Sequence, residues 1–146
     1  MKKLIMLVLI CPTSFFYNVH AEAGKLTVTA GNNNFKKAYF AGGCFWCMEE
    51  SFDKVKGVIK STSGYSGGSL KNPSYEDVIY KDTGHVETIE VIYDSNETSF
   101  KELLNIFWKN IDPFDKYGQF CDKGKSYRSV AFFQDNNEKR IITKSI

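Results

Sequence analysis

The sequence predicts an α+β domain in which helices pack on one face of a mainly antiparallel sheet. Its predicted elements run strand, helix, strand, strand, helix, strand, which is the split βαβ order of a two-layer, ferredoxin-like plait with long functional loops. A chain of 146 residues is also long enough to bury one core without disulfides or a metal. We therefore expect a single domain spanning residues 36–146.

The first strand and the first helix flank a pair of glycines. Lys37 to Ala41 reads as a short strand, Gly42-Gly43 as a tight turn, and Cys44 to about Lys54 as a helix that Gly57 ends. The helix is predicted from apolar residues that recur at helical spacing, namely Phe45, Met48, Phe52 and Val55.

Two strands and one helical turn come next. Val58 to Tyr65 is strand-like, a Gly/Pro/Ser-rich loop follows, and Tyr75 to Tyr80 can form one helical turn. Val86 to Tyr93 alternates in the way a strand does. One of its faces carries Glu87, Ile89, Val91 and Tyr93, and the other carries Val86, Thr88, Glu90 and Ile92.

The last third begins with a helix and ends with another. Ser99 and Glu102 form a capping box, and the helix after Ser99 has one wide apolar face. That face consists of Phe100, Leu103, Leu104, Phe107, Trp108 and Ile111. A long polar loop then leads to a strand at 129–134, and the tail from Asn136 reads as a helix start.

The N-terminal residues have the features of a secretory signal peptide. Lys2 and Lys3 precede an apolar run from Leu4 to Ile10, and Val19-His20-Ala21 is a small-residue cleavage site. We expect residues 1–21 to be removed, residues 22–35 to be a flexible lead-in, and the protein to be exported to the periplasm or secreted.

No stable membrane anchor is expected. The apolar run is too short to span a bilayer. Cys11 raises the alternative of a lipoprotein, but bulky Ile10 stands where such a signal needs Gly or Ala. Without Lys2 and Lys3, 17 basic residues balance 17 acidic ones. Because the charges are balanced and mixed, the composition argues against a nucleic-acid partner.

The stretch AGGCFWCMEESF carries the clearest chemistry. Cys44 stands in the first turn of the predicted helix, where free backbone N–H groups and the helix dipole favour a thiolate. Cys47 lies one turn on, on the same side of the helix and within disulfide reach. Export leaves three cysteines, the third being Cys121, so at least one stays outside any single intramolecular bond. The spacing alone also fits an inert structural disulfide.

A second candidate is Glu87, in the stretch Gly84-His85-Val86-Glu87. If the strand face of Glu87 is the buried one, desolvation raises the pKa of its carboxyl, which could then donate a proton beside a thiolate. The alternative is that Glu87 ends a strand at the surface. His85 is the only histidine after signal removal, and a lone histidine is more often structural than catalytic.

Five motifs carry a family resemblance. They are Gly43-Cys44-Phe45-Trp46, Gly64-Tyr65-Ser66-Gly67-Gly68, Asn72-Pro73-Ser74-Tyr75-Glu76, Thr83-Gly84-His85-Val86-Glu87 and Tyr127-Arg128-Ser129. In order and spacing they resemble the type A peptide methionine sulfoxide reductases over roughly Lys36 to Asn137. The resemblance implies a two-layer α/β plait with extended loops and activity on the S epimer of methionine sulfoxide.

The resemblance also implies roles for the residues of these motifs. Cys44 would attack the sulfoxide sulfur and Glu87 would give a proton to its oxygen, which Tyr75 and Tyr127 would hydrogen-bond. Phe45 and Trp46 would line the substrate site and hold the methyl group. Asp122 would orient the main chain of the substrate.

The resemblance implies that Cys44 is left as a sulfenic acid, which a second thiol condenses to a disulfide. A thioredoxin-like dithiol would then reset the enzyme, with no bound cofactor or metal. Partners would be oxidised proteins or free methionine sulfoxide, and we expect a monomer.

Two features depart from the family pattern. Many relatives have glycine at the position of Cys47 and resolve the sulfenic acid with C-terminal cysteines, whereas no cysteine follows Cys121 here. Cys47 is therefore the first choice as resolving thiol, and Cys121, beside Asp122, is the second. Relatives also continue beyond the position of Ile146, so we expect the domain to be truncated at its C-terminus.

Two other functions fit parts of the sequence. A CxxC thiol-disulfide oxidoreductase would use Cys44 and Cys47 but not Glu87. A structural zinc module could take Cys44, Cys47, Cys121 and His85 as ligands, although a second cysteine pair is missing.

Overall fold

A computed structural model describes residues 34–146. The predicted signal peptide, Cys11 and all but the last two residues of the predicted lead-in lie outside the described residues. The described elements are β1 (Phe35–Ala41), α1 (Phe45–Asp53), β2 (Val58–Ser66), α2 (Tyr75–Tyr80), β3 (Val86–Asp94), α3 (Phe100–Lys109), β4 (Gly118–Gln119), β5 (Asp122–Lys123), a 3₁₀ turn (Lys125–Tyr127), β6 (Val130–Ala131) and α4 (Asn136–Ser145).

Four strands form the main sheet, in the order β2-β3-β1-β6, and all neighbours are antiparallel. Strand β3 lies between β1 and β2, although α1 connects those two along the chain. This is the split βαβ order that the sequence predicted. Strand β1 begins at Phe35, inside the predicted lead-in, because Phe35 already pairs with Asp94 of β3.

The core lies between the sheet and the helices α1 and α3. Phe40, in the central strand β1, has its ring centroid 5.2–5.8 Å from those of Phe52, Phe100 and Phe107. Each of these rings is buried, and Leu103 of α3 is buried with them. Because α1 is anchored by Phe52, the start of this helix has a fixed position over the sheet.

Strand β3 is buried on both faces, so its alternating sequence does not indicate a solvent-exposed side. Ile89, Val91 and Tyr93 pack in the core beneath the helices. The opposite face is covered by a smaller cluster, and Glu90 there accepts hydrogen bonds from Tyr39 Oη (2.9 Å) and Lys37 Nζ (3.0 Å). The small cluster consists of Tyr39, Ala41, Val86, Val130 and Phe132.

Residues 112–134 differ most from the sequence-based prediction. The predicted polar loop contains the β4–β5 hairpin and a 3₁₀ turn, and the predicted strand 129–134 is regular only over Val130–Ala131. The buried side chain of Gln119 explains the ordered loop. Its Oε1 accepts the Asp112 N–H (2.6 Å), and its Nε2 donates to the carbonyls of Asp112 (2.8 Å) and Gly118 (2.7 Å). A single buried amide thus satisfies backbone groups that would otherwise need water.

Across residues 34–146, none of the helices combines the length and the apolar character needed to cross a membrane.

Candidate active site

Cys44 is the N-cap residue of α1 and is half-buried. The residue before it, Gly43, has φ = 89°, a conformation that L side chains rarely adopt. A Cβ at Gly43 would also lie 2.7 Å from Cβ of Gln119. The turn before Cys44 therefore packs directly on the loop that Gln119 orders.

The carboxyl of Glu87 lies at the same helix start. Its Oε2 accepts a hydrogen bond of 3.0 Å from the backbone N–H of Phe45, the residue after Cys44. Glu87 is only 2 % exposed, so the burial proposed from its strand face is confirmed. Burial raises the pKa of Glu87, and the charge of Asp122 adds to this effect, while the Phe45 N–H acts against it. The net effect is that Glu87 keeps its proton to a higher pH than an ordinary glutamate.

Two tyrosines from separate segments of the chain meet on this side of the site. Tyr75 is the first residue of α2, whose start Ser74 caps by accepting the Asp77 N–H (3.1 Å). Tyr127 ends the 3₁₀ turn. Burial, a hydrogen bond with Tyr75 and the charge of Glu87 together raise the pKa of Tyr127. Tyr127 therefore keeps its proton near the Glu87 carboxyl and is hydrogen-bonded to Tyr75.

The second thiol of the CxxC motif contacts the first. A hydrogen bond with Cys44 raises the pKa of Cys47, and burial and the charges of Cys44, Asp122 and Glu50 raise it further. All three described cysteines are free thiols. Cys121 is exposed at the tip of the β4–β5 hairpin, next to Asp122. The structure thus places the thiol of Cys47 beside that of Cys44, and it places Cys121 on a neighbouring loop.

The two aromatic residues of the motif have different surroundings. Phe45 is buried in the core, with its ring centroid 5.3 Å from that of Trp46. Trp46 is 65 % exposed and is stacked with Tyr75, with centroids 6.5 Å apart and ring planes at 11°. Trp46 and Tyr75 form an exposed pair of stacked rings, which we call the aromatic wall. Phe45 packs beneath Trp46 in the core.

One residue of the site was not assigned a role from the sequence. Tyr65 of β2 pairs with Glu87 across the sheet, and its ring centroid lies 5.7 Å from that of Phe45. Burial, Glu87 and Tyr75 raise the pKa of Tyr65 to about 12. Strands β2 and β3 are joined by a long connection that does not fix their register, so the sequence held no signal that Tyr65 faces Glu87.

Within residues 34–146, no group of three or more His, Cys, Asp or Glu side chains is arranged to hold a metal ion. His85 instead contacts Gly68 through Nδ1 and the Leu70 carbonyl through Nε2. The zinc-module hypothesis therefore has no ligand set in this part of the chain.

The raised pKa of Glu87 predicts a pH-dependent effect of Glu87→Gln on stability. Between the pKa of the unfolded carboxyl, about 4.3, and the higher pKa of the folded one, the unfolded carboxyl is ionised while the folded one holds its proton. The folded state then binds more protons, so the free energy of unfolding of the parent falls as the pH rises. Glutamine does not titrate, so the free energy of unfolding of Glu87→Gln should increase relative to that of the parent from pH 4 to pH 8. Urea unfolding of both proteins at each pH measures this difference.

A matched control is Glu138→Gln in α4, because burial also raises the pKa of Glu138. It should show the same pH trend without altering the reactivity of Cys44. A difference between Glu87→Gln and the parent that stays constant with pH would contradict the assignment of a protonated Glu87.

Comparisons with known proteins agree with this geometry. Residues 36–146 match the family model described as peptide methionine sulfoxide reductase. The chain is 47 % identical over 110 residues to a peptide methionine sulfoxide reductase MsrA of Streptococcus pyogenes serotype M5, covering 75 % of this chain and 65 % of the relative. It is 49 % identical over 108 residues to the MsrA of Ligilactobacillus salivarius, covering 74 % of this chain and 63 % of the relative.

Solved structures give the same result. Methionine sulfoxide reductase A of Corynebacterium diphtheriae superposes with a TM-score of 0.71 at 30 % identity, over 79 % of this chain and 54 % of that one. Reduced Mxr1 from Saccharomyces cerevisiae gives 0.70 at 27 % identity, over 82 % and 72 %. The chain spans just under two thirds of the length of the curated relatives it matches. On the match of residues 36–146, this chain belongs to the peptide methionine sulfoxide reductase family.

Proposed function

We propose that the chain reduces methionine S-sulfoxide, free or in oxidised proteins, to methionine. The observation that carries the proposal is the hydrogen bond from Phe45 N–H to Glu87, which holds a buried acid at the helix start that bears Cys44. The relatives named as peptide methionine sulfoxide reductases support the same reaction.

In the first step the sulfur of Cys44 attacks the sulfoxide sulfur. The dipole of α1, whose N-terminal end lies at Cys44, favours the negative charge on the attacking thiolate. The sulfoxide oxygen becomes basic as the new bond forms, and Glu87 gives it a proton. Oxygen passes to Cys44 and the thioether is released, so one thiol and one sulfoxide yield one sulfenic acid and one methionine.

The tyrosines and the aromatic wall orient the substrate in this proposal. Tyr75 and Tyr127 are hydrogen-bonded to each other and donate hydrogen bonds to the sulfoxide oxygen, and Tyr127 keeps its proton near Glu87. The methyl group lies against Trp46, with Phe45 beneath. Asp122, whose charge reaches both Glu87 and Cys47, contacts the main chain of the substrate.

In the second step Cys47 condenses with the sulfenic acid of Cys44. The sulfenic oxygen leaves as water and a Cys44–Cys47 disulfide forms. The hydrogen bond between the two thiols supports this choice over Cys121. An external dithiol of the thioredoxin type then supplies two electrons and restores both thiols.

One observation favours an alternative function, thiol-disulfide exchange. Cys47 is exposed beside the half-buried Cys44, as exchange with another protein requires. An enzyme of that kind would reduce disulfides but not methionine sulfoxide, and replacing Glu87 would not slow it.

A reductase assay of the chain from Glu22 tests the proposal. In single turnovers, S-sulfoxide substrates should yield one methionine per enzyme and R-sulfoxide substrates none. Cys44→Ser should abolish turnover, and Glu87→Gln should slow it about 10²- to 10⁴-fold by removing the acid. Glu138→Gln should leave the rate unchanged. Turnover by Cys44→Ser would overturn the assignment of the nucleophile.

The two candidate resolving thiols make different predictions for recycling. Cys47→Ser should still release one methionine but should stop multiple turnover with thioredoxin, since no disulfide forms at Cys44. Cys121→Ser should recycle normally. Mass spectrometry of the oxidised parent should find a Cys44–Cys47 disulfide. If recycling is lost in Cys121→Ser and kept in Cys47→Ser, Cys121 is the resolving thiol.

We also propose that residues 1–21 direct export and that the exported protein is a monomer. The basic start, the apolar run and the cleavage site support the proposal of export. Expression of the whole chain in a bacterium should give a periplasmic or secreted product that begins at Glu22. An unprocessed product that begins at Met1 and stays in the cytoplasm would contradict this prediction.

A further inference from the structure

His85 makes hydrogen bonds through both ring nitrogens to one loop. The backbone N–H of Gly68 can only donate, so Nδ1 of His85 accepts its hydrogen bond of 3.3 Å. The carbonyl of Leu70 can only accept, so Nε2 carries the proton in the contact of 2.9 Å. The partners therefore define the imidazole as the neutral Nε2–H tautomer.

The same loop is held to residues 83–85 by further contacts. The Ser69 N–H donates to the carbonyl of Thr83 (3.2 Å), and the His85 N–H donates to Oγ1 of Thr83 (3.3 Å). Gly68 lies flat on the imidazole, because a Cβ at this position would be 2.4 Å from Cδ2 of His85. Residues 68–70 and 83–85 thus form one packed unit.

This unit joins two parts of the active site. Residues 67–74 connect β2 to α2, whose first residue is Tyr75. His85 directly precedes β3 and stands two residues before Glu87. Fixing residues 68–70 on His85 shortens the free segment before Tyr75 to four residues, 71–74, and so limits where its phenol can lie.

We propose that His85 is a positioning residue for Tyr75. Its neutral imidazole holds residues 68–70 so that Tyr75 stays stacked on Trp46 and close to Tyr127. His85 itself does not touch the substrate. The catalytic part of this inference rests on the proposed reductase function, whereas its structural part does not.

The tautomer and the ring stacking are measured without any activity. Two-bond ¹H–¹⁵N spectra of the chain from Glu22, which contains His85 as its one histidine, should show the Nε2–H tautomer at neutral pH. Nuclear Overhauser effects between Tyr75 and Trp46 should be strong in the parent and weak in His85→Ala. An Nδ1–H tautomer, or unchanged effects in His85→Ala, would overturn the proposal.

Variants then separate positioning from simple folding. His85→Ala removes two hydrogen bonds and should lower single-turnover kcat/KM about ten- to a hundredfold. His85→Asn keeps an acceptor toward Gly68 and His85→Gln keeps a donor toward Leu70, so each should recover part of the loss. Gly68→Ala disturbs the contact from the loop side and should resemble His85→Ala.

The matched control is Lys71→Ala, an exposed change in the same loop that should leave kcat/KM unchanged. Melting temperatures of the five variants, compared with that of the parent, show whether the fold is retained. A folded His85→Ala with parental kcat/KM would overturn the positioning role. If instead the parent itself does not reduce methionine sulfoxide, the proposed function fails, and the tautomer and stacking measurements still decide whether His85 holds the loop.

Discussion

The hydrogen bond from Phe45 N–H to Glu87 is the contact on which the rest of the site depends. A helix start has N–H groups without partners, and a buried carboxyl needs a hydrogen-bond donor, so each group satisfies the other. The contact is possible because Phe52 anchors α1 on the face of β3 that carries Glu87. The core thus fixes the position of Glu87 relative to the helix start that bears Cys44.

The electrostatic character of the site follows from this burial. Desolvation is the main cause of the raised pKa values of Glu87, Tyr65 and Tyr127, and the hydrogen bond with Cys44 is the main cause for Cys47. Negative groups add to the effect in all four. These groups keep their protons close to Cys44, whose thiol would have to lose its proton in the proposed reaction. Reduction of a sulfoxide to a thioether and water consumes two protons, so a proton-rich site beside a nucleophile suits this chemistry better than it suits thiol-disulfide exchange.

Hydrophobic periodicity was enough to predict α1, α3 and β3, because each of them buries an apolar face. Together with the strand-like segments that form β1 and β2, these elements indicated the split βαβ order. Periodicity also placed Glu87 on one face with Ile89, Val91 and Tyr93, but it left open whether that face is buried, which the structure decides. It could not predict Tyr65 opposite Glu87, since the β2–β3 register is set by tertiary packing, nor Gln119, whose burial depends on the fit of a loop under Gly43. The different surroundings of Phe45 and Trp46 follow from helix geometry, because consecutive side chains point about 100° apart.

The residues of the site lie on two kinds of element, those packed in the core and those in the connecting segments. Cys44, Phe45, Trp46 and Glu87 lie on elements fixed by the core, whereas Tyr75, Asp122 and Tyr127 lie on short elements within the connecting segments. Each loop has one anchor with satisfied hydrogen bonds, Gln119 for the β4–β5 hairpin and His85 for residues 67–74. Loops allow the substrate-binding surface to vary, but catalysis needs their side chains within fractions of an ångström. Under the proposed function, Gln119 and His85 have no chemical role in the reaction, but they hold the segments whose side chains contact the substrate.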